Sequence, residues 1–338
     1  MTSSPRPYSA TRSIVDGVEV IHLTDRISGI EVFIALSIGN IAYRMDVNGK
    51  NILWFPYESV GDFSIAPRLC GIPFLAPWAN RLDDHAFFSD GKKYMFDRRL
   101  NNYNTDSRGF PIHGLLFFAS QWKVDSLCAN EEGASVRSHF EFGQHAHLMA
   151  QFPFAHTIEM TYCLSRGALE IATKINNTGT QSMPLSIGYH PYFRLYDMPR
   201  ERWQLHLAAD KVWSLDDRCM PTGKMEPLAT VFGHDLPLVL KDLSLDHILG
   251  ELLRDEQGRS TFSVRGEKQQ INIAYGSRYQ ASVVYAPTDH DQNFICFEPM
   301  SGITNAFNLA HLGIYEELQT VPIGEAWQES FWIYPRGF

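Results

Sequence analysis

Cysteine is scarce in this sequence, and its placement does not suit a cross-link or a metal knuckle. The five cysteines, Cys70, Cys128, Cys163, Cys219 and Cys296, are odd in number and widely spaced, with no Cys-x-x-Cys pair. That pattern argues against a disulfide framework or a zinc knuckle and leaves reduced, mostly buried thiols as the expectation. Positive charge is also in deficit: 29 Lys and Arg against 38 Asp and Glu give a formal net charge of −9. Nucleic-acid grooves and anionic membrane surfaces favour clustered Lys and Arg, so neither partner is expected. No apolar run reaches the roughly 18 residues of a membrane helix. The N-terminal "MTSSPRPYSATRSI" lacks the apolar stretch of a secretory signal, and a cytoplasmic protein is expected. Gly-rich phosphate loops, G-x-S-x-G elbows and H-E-x-x-H motifs are missing as well. No metal or nucleotide cofactor is therefore expected, and a neutral small molecule is the natural partner.

Strand-forming segments make up most of what is present. "VEVIHLTD", "HTIEMTYCLS", "ALEIATKINNTG" and "INIAYGSRYQASVVYAP" are rich in β-branched and aromatic residues, many alternating apolar with polar. In "ALEIATKI" the alternation directs Leu169, Ile171 and Ile175 inward, with Glu170, Thr173 and Lys174 outside or at edges. Turn-type punctuation such as "VNGKN" at 47–51 and "SRGA" at 165–168 separates the runs. One segment, "LDHILGELLRDE" at 245–256, reads as a short helix, and the late "GEAWQESFWIYP" reads as a strand of the core. Without a 20–50-residue repeat or a Pro/Ser/Gly linker, residues 1–338 read as one domain. The fold class is all-β, an antiparallel sandwich of large sheets with few or no helices.

Four polar insertions interrupt this background. They are "PFLAPWANRL" at 73–82, with Asn80 and Arg81; "FPIHGLLF" at 110–117, with His113; "LSIGYHPYFRL" at 185–195, with His190; and "FICFEPMSGITNAFNL" at 294–309. In the last, Glu298 reads as the end of an apolar strand that Pro299 stops. Singly, each has a plain structural reading: a core histidine, a solvated strand-end carboxylate, or an ion pair beside the core. Together they suggest a cleft on one sheet face, because buried ionisable groups are costly unless paired. Asp246 in "LSLDHIL" is a weaker fifth member. His145 and His147 in "GQHAHLMA", two apart, would share a face on a strand, but no Cys, Asp or Glu joins them at ligand spacing, so a loop or rim position is expected.

The order "NRL", "HG", "GYHPYF", "EPMSGITNAFN" and "PIGEAWQESFWIYP" resembles the aldose 1-epimerases, the galactose mutarotase-like family, from about residue 30 onward. The resemblance implies a large antiparallel β-supersandwich. It also implies roles: Glu298 as general base, His190 as general acid, and His113 binding the sugar near its ring oxygen. Arg81 would hold hydroxyls at the far side of the sugar, with Asn80 beside it and Asp246 acting likewise. The family's reaction needs a base for the C1 hydroxyl and an acid for the ring oxygen, and neither metal nor nucleotide. The implied protein is a monomer or homodimer acting on a monosaccharide.

One departure bears on the substrate. The better-known galactose mutarotases follow His-Gly with a Gly-rich run leading to Gly-Phe-Asp, whereas "HGLLFFASQW" is apolar and short. Galactose is therefore not implied. The alternatives are a hexose-6-phosphate mutarotase, for which Arg44, Arg98, Arg99 and Arg108 are unplaced cations, and a non-catalytic carbohydrate-binding protein on the same fold.

Overall fold

The computed structural model describes residues 6–233, 237–241, 243–288 and 292–338. The alternation seen in the sequence sets the architecture. His156–Ser165 and Ala168–Asn177 each bury every second residue along ten positions and pair from His156↔Asn177 to Ser165↔Ala168. The two residues between them, Arg166 and Gly167, both take positive φ, as a tight two-residue hairpin loop with matching twist requires. Thr173 belongs to the buried set of this strand, contrary to the outward placement expected for it. It shares parity with Leu169, Ile171 and Ile175, and its hydroxyl is satisfied in the core by Tyr189 Oη at 2.5 Å.

Among the described residues, three large antiparallel sheets follow, with three two-stranded ones beside them. Five strands between Tyr8 and Asn51 form an N-terminal meander. A nine-stranded sheet runs in the order Lys123–Ala129, Ala134–Glu141, His156–Ser165, Ala168–Asn177, Ala326–Arg336, Gln270–Tyr275, Ser260–Arg265, Gln204–His206, Leu238–Val239. The strand Ala326–Arg336 thus lies between Ala168–Asn177 and Gln270–Tyr275, a core position as its apolar alternation suggests. The third sheet has the order Pro221–Pro227, Ala209–Leu215, Leu245–Leu252, Ala281–Ala286, Ile295–Met300, Gly188–Tyr189, Phe74–Leu75, with Tyr192–Phe193 also paired to Ile295–Met300. The described residues also include four short α-helices and three 3-10 turns, and no helix is long and apolar enough to cross a membrane.

Two expectations are corrected in the third sheet. Residues 245–252 are a strand rather than a helix: Leu245–Leu252 is hydrogen-bonded on both flanks, to Ala209–Leu215 and Ala281–Ala286. Its helical spacing is weak, and Gly250 inside it disfavours a helix by about 1 kcal/mol. Nor does Pro299 stop the Glu298 strand, which continues to Met300 with Pro299 opposite Ser282.

Period two gives this sheet two different faces. Leu249, Val284 and Phe297 point into the main core, where Phe297 meets Phe262 of the nine-stranded sheet at 6.0 Å between ring centroids. The other face carries Asp246, Tyr285, Cys296 and Glu298, placed side by side by the register Asp246↔Tyr285, Tyr285↔Cys296 and Val283↔Glu298. Part of that second face is an apolar cluster of Trp213, Ile248, Val283 and Met300, covered by Ile303, Ala306 and Leu309. The remainder is the cleft.

Candidate active site

The cleft exists because one flank of the Glu298 strand is left unpaired where the carboxylate stands. That flank pairs with Gly188 at Met300 and with Tyr192 and Phe193 at Cys296 and Ile295. Between these points the chain bows away, carrying His190, whose backbone N–H donates to the Pro73 carbonyl at 3.1 Å. Gly188 suits the close approach before the bow: a Cβ there would lie 2.2 Å from Met300 Sδ and 3.0 Å from the Pro299 carbonyl oxygen.

Two loops close over this gap. Leu115 N–H donates to the Ala76 carbonyl at 2.7 Å, His113 N–H to that of Asn80 at 2.8 Å, and Leu82 N–H to that of Pro111 at 2.9 Å. Asn80 and His113 both take left-handed backbone, φ 57° and 61°, which aims their side chains out of the extended path. Gly114 follows His113 with φ 72°, and a Cβ on it would meet the Ala76 carbonyl oxygen at 2.2 Å. Only glycine lets the two loops approach this closely.

The expected site residues converge. Asn80, Arg81, His113, His190, Asp246 and Glu298 line one cavity of about 200 Å³, together with Leu69, Tyr192 and Tyr285. Glu298 Oε1 lies 3.3 Å from His190 Nε2, and Glu298 is only 1% exposed. The His113 ring stands edge-on to His190 at 5.6 Å. Arg81 Nη2 is 3.5 Å from Asp246 Oδ2, and its Nη1 donates to Asn80 Oδ1 at 3.2 Å. His113 Nδ1, His190 Nδ1 and Glu298 Oε2 are buried without a hydrogen-bond partner. Three unmatched polar atoms around one cavity provide hydrogen-bonding capacity for a polar ligand.

Burial dominates the electrostatics. It raises the Glu298 carboxyl well above its ordinary 4.5; Asp246 adds to the rise and Arg81 opposes it. It lowers His190 well below 6.5, with His113 and Arg81 acting in the same direction. His113 is pushed down to about 3 by burial and then by Arg81, so it is neutral and has one nitrogen to donate and one to accept.

The other candidates lie elsewhere. Arg44 pairs with Asp46 at 2.6 Å, Arg99 with Asp97 at 2.8 Å and Arg108 with Asp217 at 3.2 Å. His145 and His147 sit at the short helix Ala146–Met149, not on a strand, and their rings are 5.9 Å apart. No group of three or more His, Cys, Asp or Glu able to hold a metal occurs among the described residues.

Sequence reasoning missed Tyr192 and Tyr285. Tyr192 was within reach, since it follows His190 by two residues and so shares its face of an extended chain. Tyr285 depends on strand register, for which the sequence carries no local signal.

The model of the aldose 1-epimerase family matches residues 44–334. A galactose mutarotase-like protein from Clostridium acetobutylicum has a solved structure similar to this chain, with a TM-score of 0.85 and 22% identity, covering 98% of this chain and 99% of that one. Galactose 1-epimerase from Lactobacillus acidophilus NCFM has a TM-score of 0.72 at 16% identity, covering 98% and 99%. YihR of Escherichia coli (strain K12), an uncharacterised protein, is 22% identical over 235 residues, 69% of this chain and 70% of that one. At these identities the structural likeness concerns the fold, which is the large antiparallel β-sandwich expected.

Proposed function

This chain belongs to the aldose 1-epimerase family, and on that premise we propose that it interconverts the α and β anomers of a free aldose. The observation that carries this reading is the buried contact of Glu298 with His190 at 3.3 Å, flanked by His113 and the Arg81–Asp246 pair. Glu298 takes the proton of the C1 hydroxyl. The freed electron pair forms the C1 carbonyl, the C1–O5 bond breaks, and O5 receives a proton from His190. Rotation about C1–C2 presents the other face of the aldehyde, and the same two transfers run backward to close the ring. Each well-placed proton-transfer group contributes about 10²–10⁴-fold. His113 donates to the sugar near O5. Arg81, Asp246 and Asn80 hold hydroxyls at the other end.

Proton count ties the two groups together. The pair works with one proton, as carboxylate and imidazolium. Burial favours the uncharged alternative, carboxylic acid and neutral imidazole, which holds the same number of protons. Transfer between Oε1 and Nε2 converts one into the other, so a single protonation state supplies both the base and the acid.

The cations near the cleft support an unphosphorylated sugar. Arg81 is paired with Asp246, Arg108 with Asp217, and Arg218 stacks on Phe110 at 3.9 Å while donating to the Asp83 carbonyl. A phosphate would compete with Asp246 for Arg81 and with Asp217 for Arg108.

Polarimetry on freshly dissolved α-D-glucose, α-D-galactose and a wider panel of aldoses tests the reading. Equilibration should be accelerated for at least one free sugar. Saturable binding without acceleration would favour the non-catalytic carbohydrate-binding alternative. Acceleration confined to 6-phosphates would overturn the choice of a free sugar.

A further inference from the structure

To deliver a proton to O5, His190 has to carry positive charge inside a site that is hostile to it. Arg81 and the His113 ring approach it with like charge or an edge. Tyr285 meets it edge-on, with centroids 5.8 Å apart and planes at 80°. Asp246 is turned toward Arg81, and the Cys296 thiol on the same sheet face is kept neutral by burial. Glu298 supplies the compensating charge, but it loses that charge whenever the pair's proton rests on it.

One neighbour meets the imidazole face to face. The Tyr192 ring is parallel to His190 within 6°, with centroids 4.5 Å apart. Its hydroxyl oxygen is 3.5 Å from His190 Nε2. With the planes parallel, that oxygen lies over the imidazole, whereas the Nε2 lone pair or N–H points along the ring plane. The contact is therefore poorly aligned as a hydrogen bond and well aligned as a stack.

We propose that Tyr192 is a positioning residue for the anomerisation, holding His190 in place and stabilising its imidazolium form through the π face of the phenol ring. The proposal rests on the acid role given to His190 above. Tyr192 is itself rigidly held. Phe294 packs edge-on against it at 4.9 Å and Trp54 lies at 5.7 Å. Its N–H donates to the Gly71 carbonyl at 2.9 Å, and its carbonyl accepts from Trp54 N–H at 2.9 Å. A desolvated cation over such a face is stabilised enough to change a proton affinity by about tenfold.

The test compares rings of one shape. Tyr192→Phe keeps the π face without the hydroxyl, whereas pentafluorophenylalanine at 192 keeps the shape and reverses the polarity of the face. The Phe variant should turn over within about threefold of wild type. The fluorinated variant should lose about tenfold in kcat with KM nearly unchanged. In a His190→Asn background the two should be equal. Equal losses in Phe and fluorinated variants of the otherwise wild-type protein would assign the role to the hydroxyl and overturn the proposal, as would a fluorination loss that persists beside His190→Asn. NMR titration of 15N-labelled histidine gives a readout independent of turnover. The fluorinated ring should lower the His190 proton affinity about three- to tenfold and Phe should not; an unchanged titration across the series overturns the stack. A wild type without anomerisation activity would sink the proposed function, and the titration would still decide whether the stack stabilises the cation.

Discussion

Glu298 Oε1 stands 3.3 Å from His190 Nε2, and burial pushes the two groups in opposite directions, the carboxyl up and the imidazole down. Both shifts disfavour the ion pair relative to carboxylic acid and neutral imidazole. As pH falls, the pair takes a second proton; as pH rises, it loses its last one. The profile of kcat/KM against pH should therefore be a bell, with both limbs belonging to the coupled pair. A profile that rises with pH and then stays flat would show that the pair's single proton is not needed.

The same coupling governs mutation. Glu298→Gln removes the proposed base and His190→Asn the proposed acid, and each should lower kcat by about 10²–10⁴-fold with little change in sugar affinity. If the two act in one transition state, as proposed, the double variant should lose far less than the product of the single losses. Steady-state kinetics on all four proteins is the check. Full multiplicativity would separate the two roles.

Stability should move against function at Glu298. Its folded-state pKa is raised, so its contribution to stability is complete below 4.5 and is lost as pH rises through the folded value. At alkaline pH the folded protein holds a buried carboxylate that the unfolded chain would hydrate. Glu298→Gln should therefore melt higher than wild type at pH 9, with the gap closing toward pH 4. A gap of constant size would mean that Glu298 is hydrated in the folded state.

The proposed role of Arg81 is binding rather than chemistry. If it holds sugar hydroxyls equally in the ground and transition states, Arg81→Met should raise KM by about 10- to 100-fold, the worth of a hydrogen bond to a charged group, with kcat reduced much less. Isothermal titration with the preferred sugar should show the same loss. Collapse of the fold would instead make the Arg81–Asp246 contact structural.

Gly114 tests the loop closure. Alanine there meets the Ala76 carbonyl oxygen and must keep positive φ. Gly114→Ala should lower stability by roughly 1–3 kcal/mol, read from denaturant midpoints, and reduce activity by displacing His113. A variant with wild-type kinetics would show that the loops tolerate separation.

The fold class was legible because alternation is a local signal: the burial of His156–Ser165 follows it at every position. Five residues lining the cleft, Asn80, Arg81, His113, His190 and Glu298, were legible because they sit in polar breaks within apolar stretches. Where the reading failed, the deciding interaction was non-local. Leu245–Leu252 is a strand because strands on both flanks claim its backbone, and Thr173 is buried because Tyr189 meets its hydroxyl. Tyr285 entered the site through a register with Cys296 that neither segment announces.

The position of Ala326–Arg336 between Ala168–Asn177 and Gln270–Tyr275 also sets a schedule for synthesis. While a ribosome is still making residues 178–325, the strand at 168–177 has one flank without its partner, and the strand at 270–275, once made, is in the same position. Neither half of the nine-stranded sheet can join the other until the last strand emerges. The nascent chain must therefore keep two open edges apart from neighbouring chains until that strand is made.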